Sequence, residues 1–148
     1  MAKKKYNPLE QLKSIQASSL YVTGTTKKTR QILKWDSKTS DGTTTMYTVP
    51  KGYRLLLYAA TLNLSCSKVS GGTGFFNASA IQVNNGSDLA VVIGLTYPES
   101  GLGSVSNSFS ADVPMIIEAG MTIEHQFNEV SPAEACSYAF IYGIEEEL

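Results

Sequence analysis

YRLLLYAATLNLSC, residues 53–66, is the longest stretch of the chain that repeats with a period of two. Alternation puts Leu56, Tyr58, Ala60, Leu62 and Leu64 on one face and Tyr53, Leu55, Leu57, Ala59, Thr61 and Asn63 on the other, because successive strand side chains point to opposite sides. Both faces are apolar at the start and only one is later. That pattern predicts a central strand that runs out toward a sheet edge.

Outward from this strand the sequence reads as strand, turn, strand. Upstream, residues 20–25, 29–35 and 43–49 are extended candidates, separated by Thr26-Lys27-Lys28 and by the Ser40-Asp41-Gly42 turn; Val49-Pro50-Lys51-Gly52 breaks the chain before Tyr53. Downstream come 75–83, a tight hairpin at Asn84-Asn85-Gly86, and 88–97. A Gly- and Ser-rich loop is expected over 98–108, matching a glycine-rich loop over 68–74. Three more strands are expected at 109–113, 115–118 and 121–128, with breaks at Pro114 and Ala119-Gly120. Residues 136–144 form the last, with Tyr138, Phe140 and Tyr142 on one face and Ala139 and Ile141 on the other, ahead of an acidic tail Glu145-Glu146-Glu147. Many short strands spaced by Gly, Pro and Asn predict an all-β fold, an antiparallel β-sandwich of jelly-roll type. Residues 1–18 stand apart as an N-terminal arm: Asn7-Pro8 can start a short helical turn carrying Leu9, Leu12 and Ile15. The sandwich domain is assigned to residues 19–148.

At 148 residues the chain has the size of one domain with a substantial core. Charged residues are only 17%, below the roughly 25% usual for soluble domains, and serine and threonine take their place. Charge is divided along the chain: residues 1–54 hold eleven Lys and Arg against three acids, whereas residues 55–148 hold one Lys against ten. The basic arm is thereby suited to docking on an acidic surface of a neighbour. No apolar run approaches the ~18 residues of a membrane span, and Met1 to Lys5 lack the apolar stretch of a secretion signal, so synthesis in a cytoplasm and no membrane partner are expected. In that compartment Cys66 and Cys136 are expected as free thiols, a disulfide requiring that their strands be neighbours.

The chain is poor in the groups that carry catalysis. Its single histidine, His125, falls on the apolar face of its strand and is expected to be buried with its ring nitrogens satisfied. One histidine and two distant cysteines do not make a zinc site, and neither a metal nor another cofactor is expected. Glu118, Glu124 and Glu129 could supply a carboxylate pair, but Glu124 lies on a polar face. Lys3-Lys4-Lys5, with only Tyr6 as an aromatic beside them, fall short of a nucleic-acid platform. The chain is not expected to be an enzyme. The partner-binding candidates are Lys3, Lys4, Lys5, Tyr6, Leu9 and Leu12 of the arm, and Tyr97 beside the 98–108 loop.

Three segments carry a family likeness. Residues 47–55 (YTVPKGYRL), 109–123 (FSADVPMIIEAGMTI) and 139–146 (AFIYGIEE) resemble small β-sandwich proteins of tailed-phage virions, in which a Val-Pro-x-Gly lead into a long strand, an Ala-Gly-x-Thr-Ile segment and a closing Tyr-Gly-x-Glu recur. The likeness spans roughly residues 43–65 and 109–146. It implies a head decoration or auxiliary capsid protein, or a tail or fibre component, often trimeric, located in the virion and bound to capsid or tail subunits after assembly in the host cytoplasm. It supplies no catalytic residue. The alternative on the same sandwich is a carbohydrate- or receptor-binding module using the 68–74 and 98–108 loops with Tyr97.

Overall fold

The computed structural model describes residues 27–68, 77–97, 103–128 and 134–148. Eight strands appear in chain order: β1 Thr29–Lys38, β2 Gly42–Thr48, β3 Tyr53–Lys68, β4 Asn77–Asn84, β5 Leu89–Tyr97, β6 Gly103–Ile117, β7 Thr122–Asn128 and β8 Glu134–Glu147. They form two four-stranded antiparallel sheets, sheet A in the order β1-β8-β3-β6 and sheet B in the order β2-β7-β4-β5. The expected β-sandwich is the fold observed, with no helix among the described residues. The arm, its helical turn and the 20–25 strand lie outside the described residues.

Two turns at one end hold the sheets in register. Tyr53 N–H donates to the Pro50 carbonyl and Met121 N–H to that of Glu118; Gly52 and Gly120 both take φ +84°, the third-position geometry of a type II turn that favours glycine. The turns are tied to each other, since Val49 N–H donates to the Met121 carbonyl and Gly120 N–H to that of Val49.

The long strand corrects the two-faced reading of residues 53–66. Leu55 and Leu57 are fully buried, and so are Ala60, Leu62 and Leu64, although the two sets differ in parity. The pairing of β3 with β8 and with β6 skips between Leu57 and Ala59. A bulge at Tyr58 therefore inserts one residue and switches the inward set from odd to even numbers. Central β3 presents one core face along its length, not two faces fading to an edge. Around it the core gathers Ile32, Val49, Ile81, Ile93, Ile117, Ile123, Ala139 and Ile141, with Leu64, Phe127 and Ala135 extending it toward the other end.

Three further boundaries differ from expectation. Gly103 to Ser108 are not loop but the start of β6, paired with residues 61–66 of β3. Pro114 does not split two strands, because β6 is an edge strand and an edge position needs no N–H donor there. The acidic tail is the end of β8: Glu145 is buried at 1% exposure, bound by Arg30 Nε at 2.7 Å and by the Tyr47 hydroxyl. Two cationic and phenolic donors from β1 and β2 thus draw in a carboxylate that hydropathy places in water. Cys66 and Cys136 do lie on neighbouring strands, yet Ser65 pairs with Cys136 and Cys66 with Ala135. That one-residue offset sends the thiols to opposite faces, and they are not bonded to each other.

Candidate functional site

The described residues hold one polar cluster inside the sandwich, a second at its end, and one unusual outer surface. His125 of β7 is fully buried, as its apolar-face position predicts. Its Nδ1 lies 2.8 Å from Asp36 Oδ2 of β1, and its Nε2 lies 2.8 Å from Ser137 Oγ of β8 and 3.1 Å from Ser79 Oγ of β4. Ser79 and Ser137 hydroxyls are 2.6 Å apart, and Ser79 also donates to the Gln126 carbonyl. With Asp36 ionised, Nδ1–H donates to it and Nε2 accepts from a serine. Ser, His and Asp stand in hydrolase-triad order, but Ser137 is fully buried between the sheets, whereas a nucleophile needs a site open to substrate. What the cluster does structurally is tie β1 and β8 of sheet A to β4 and β7 of sheet B.

Burial, the largest cause, holds the His125 imidazole below its ordinary 6.5, against the upward pull of Asp36 and with a smaller downward push from Lys38. The unfolded chain therefore binds this proton at a higher pH than the native one. The resulting stability is complete above 6.5 and is lost as pH falls from there through the native value. His125→Leu should flatten the decline in melting temperature between about pH 7 and about pH 5 relative to the wild type. At neutral pH Asp36→Ala should cost more than His125→Leu, about 1–3 kcal/mol against about 1 or less, because it leaves a fully buried N–H unpaired, while the histidine deletion leaves the two serines bonded to each other and Asp36, 22% exposed, in reach of water. Thermal melts of the two variants across that range check both points.

At the end of the sandwich beside the 50–52 turn, Lys28, Thr29, Arg30, Pro50, Tyr53 and Glu145 line a cleft of about 410 Å³. Tyr47 is pushed up by burial first and by the Glu145 hydrogen bond second, and Arg30 is held charged by Tyr47 and Glu145. Arg30 and Glu145 are paired with each other there. No three His, Cys, Asp or Glu side chains converge as metal ligands among the described residues.

The outer surface of sheet A has a different character. In β8 Ala135, Ser137, Ala139, Ile141, Gly143 and Glu145 turn inward, and Tyr138, Phe140, Tyr142 and Ile144 turn outward. Cross-strand register then builds rows across the sheet: Leu33, Tyr142 and Ala59 with Ser110; Trp35, Phe140 and Thr61 with Ser108; Ser37, Tyr138 and Asn63 with Ser106. Leu56 sits between Ile144 and Ile116 in the row beyond. Trp35 is 76% exposed, Leu33 63%, Ile116 53% and Tyr138 49%. From the Arg54–Glu146 ion pair (2.7 Å) at one end to the Ser65–Cys136 contact (3.0 Å) at the other, the paired outward positions carry no charged side chain. The β1–β8 half of this surface is an exposed, uncharged patch rich in aromatics, of the composition found at the centre of interfaces, and the β3–β6 half beside it is lined by Ala, Thr, Asn and Ser. Sheet B faces outward with Thr43, Thr45, Gln126, Asn84 and Glu124, the last accepting from Gln82, Asn84 and Thr122, and with exposed Leu89 and Val91 on edge strand β5.

Of the partner-binding candidates read from sequence, Lys3, Lys4, Lys5, Tyr6, Leu9 and Leu12 lie outside the described residues, and Tyr97 is the last residue of β5, paired with Asn77. Trp35, Leu33, Tyr138, Phe140 and Tyr142 were missed. The available signal was the split of β8 into a large and a small apolar set, which alternation alone does not orient, and the Leu33-x-Trp35 alternation in a strand whose other face carries Arg30, Lys34, Asp36 and Lys38.

No family model and no curated protein matches the chain. Among solved structures, a pentameric capsid protein isolated from metagenomic phage sequences is similar at 15% identity over 99% of this chain and 77% of that one, with a TM-score of 0.35. A second structure of a pentameric capsid protein from metagenomic phage sequences, also at 15% identity, covers 99% and 80% with the same TM-score. A Bacillus endospore appendage, of a family of disulfide-linked pili, is 13% identical over 85% of this chain and 94% of that one, with a TM-score of 0.42. Overlays this loose carry no argument about function.

Proposed function

We propose that the chain is a structural subunit of a phage virion, a capsid decoration or auxiliary head protein, that packs on neighbouring subunits through the outer face of sheet A. The observation that carries this reading is the contrast between the two outer surfaces. On sheet B the outward positions of β2, β7 and β4 are the polar ones that a solvated antiparallel sheet normally shows, with Leu89 and Val91 exposed on edge strand β5; on sheet A, β1 and β8 carry a contiguous aromatic and aliphatic patch with no charge at its paired positions. The pairing order β1-β8-β3-β6 against β2-β7-β4-β5 supports a jelly roll, an architecture used by viral capsid and lectin domains alike, so the face and not the fold favours assembly. The basic arm adds a second contact toward an acidic neighbour. The reading includes no catalytic step; in the Ser-His-Asp grouping found among the described residues, Ser137 and His125 are fully buried between the sheets.

The lectin-like alternative gains nothing from the described residues, as half of its 98–108 loop is strand. Light scattering on the purified chain, beside a glycan array, separates the two. Concentration-dependent assembly with a blank array is expected; specific glycan hits from a chain that stays monomeric would overturn the structural reading.

A further inference from the structure

The outer face of sheet A carries both a projection and a recess. The projection is Trp35, the chain's single tryptophan, standing 76% exposed on β1. The recess has a volume of about 310 Å³ and is lined by Tyr58, Ala59, Ser110, Ala111, Tyr142 and Ile144. It lies at the register break, where Ser110 and Met115 of β6 bracket four unpaired residues opposite Tyr58 of β3, and the small residues Ala59, Ser110 and Ala111 leave room between its rings. Tyr58 and Tyr142 flank it with ring centroids 6.3 Å apart at 41°, a wall of aromatic faces and edges suited to an indole. The volume equals that of roughly ten water molecules.

We infer that two copies of this chain pair face to face about a two-fold axis, each inserting Trp35 into the Tyr58–Ala59–Ser110–Tyr142 recess of the other. This rests on the assembly reading and names its partner. A projection and a recess on the same face are self-complementary, which is what an isologous interface requires. β1 and β3 are two strand spacings apart, roughly 10 Å, so the axis passes above Phe140 and Tyr142 of the intervening β8 and sets those rings against their counterparts. The paired outward positions bear no charge, and exposed Asp112, next to Ala111 in the unpaired β6 segment, stays hydrated at the rim of the pairing. Four strands about 4.8 Å apart and about eight residues long present roughly 500 Å² per copy; two copies bury on the order of 1,000 Å², the lower bound for a specific interface.

The single tryptophan makes the test direct. Emission and acrylamide quenching of the full chain are recorded over a concentration series alongside mass by light scattering. Trp35 emission should move to the blue and lose most of its quenching in step with a doubling of mass. Ala59→Phe, which fills the recess, should weaken pairing at least about tenfold and leave emission water-like; Ala111→Phe, in the unpaired segment, gives the same readout should the first variant disturb the strand, with far-ultraviolet circular dichroism confirming the fold. Three results would overturn the pairing: blue, protected emission already in the monomer, which would assign the face to residues 1–26 of the same chain; assembly with Trp35 still water-exposed; or assembly unaffected by both recess variants. If Phe140→Asp dissociates an assembly in which Trp35 stays exposed, the pairing fails and the assembly reading stands. If Phe140→Asp leaves assembly intact, the assembly reading itself fails.

Discussion

Gly143→Ala is expected to lower the melting temperature by about 10 °C, a loss of about 3 kcal/mol at the few degrees per kcal/mol typical of a chain this size. Gly143 lies in β8 between Ile32 of β1 and Leu57 of β3. A Cβ there would stand 2.7 Å from the Leu56 carbonyl oxygen, 2.8 Å from Leu55 Cδ1 and 3.3 Å from Leu55 Cγ. The oxygen belongs to the backbone of the central strand, so relief requires moving β3 against β8, and Leu55 is fully buried with no space to retreat. Overpacking against backbone in the middle of a sheet is among the few mechanisms that exceed the usual effect of a point change. A thermal melt followed by circular dichroism checks it; a shift under about 2 °C would show that the two strands can part more easily than their register implies.

Phe140→Asp is expected to leave folding nearly intact and to weaken assembly at least about a hundredfold. Phe140 points out of sheet A between Trp35 and Thr61, so in the monomer the new carboxylate remains in water and costs on the order of the 1 kcal/mol spanned by strand preference. Buried without a counter-charge in an interface, it costs about 3–5 kcal/mol, and each 1.4 kcal/mol is tenfold in affinity. Sedimentation velocity over a concentration series measures the change. Wild-type assembly by this variant would mean that the aromatic face is not the contact.

The architecture was legible in sequence because turns and alternation are local. Val49-Pro50-Lys51-Gly52, Ala119-Gly120 and the β7 pattern of Ile123, His125 and Phe127 each fix their own geometry. What escaped was set by partners far along the chain. The parity switch at Tyr58 depends on the pairing of β3 with both neighbours. Burial of Glu145 depends on Arg30 and Tyr47, more than ninety residues away, and no window around IYGIEEE contains them. The Asp36–His125–Ser137 tie likewise joins three strands whose adjacency periodicity does not encode. The outer face was missed for a related reason. Hydrophobic pattern separates the two sides of β8 but assumes that the larger apolar set is the buried one, whereas here Ala139, Ile141 and Gly143 face the core and Tyr138, Phe140 and Tyr142 are left outside.

Hydroxyl-radical footprinting of the assembled chain against the monomer tests the central claim most directly, because it reports which side chains lose water on association without presupposing a partner. Protection is predicted at Trp35, Tyr138, Phe140 and Tyr142, with Leu89 and Val91 on the far side of sheet B modified equally in both states. Unchanged modification of Trp35 and Tyr138, with protection confined to sheet B, would contradict it.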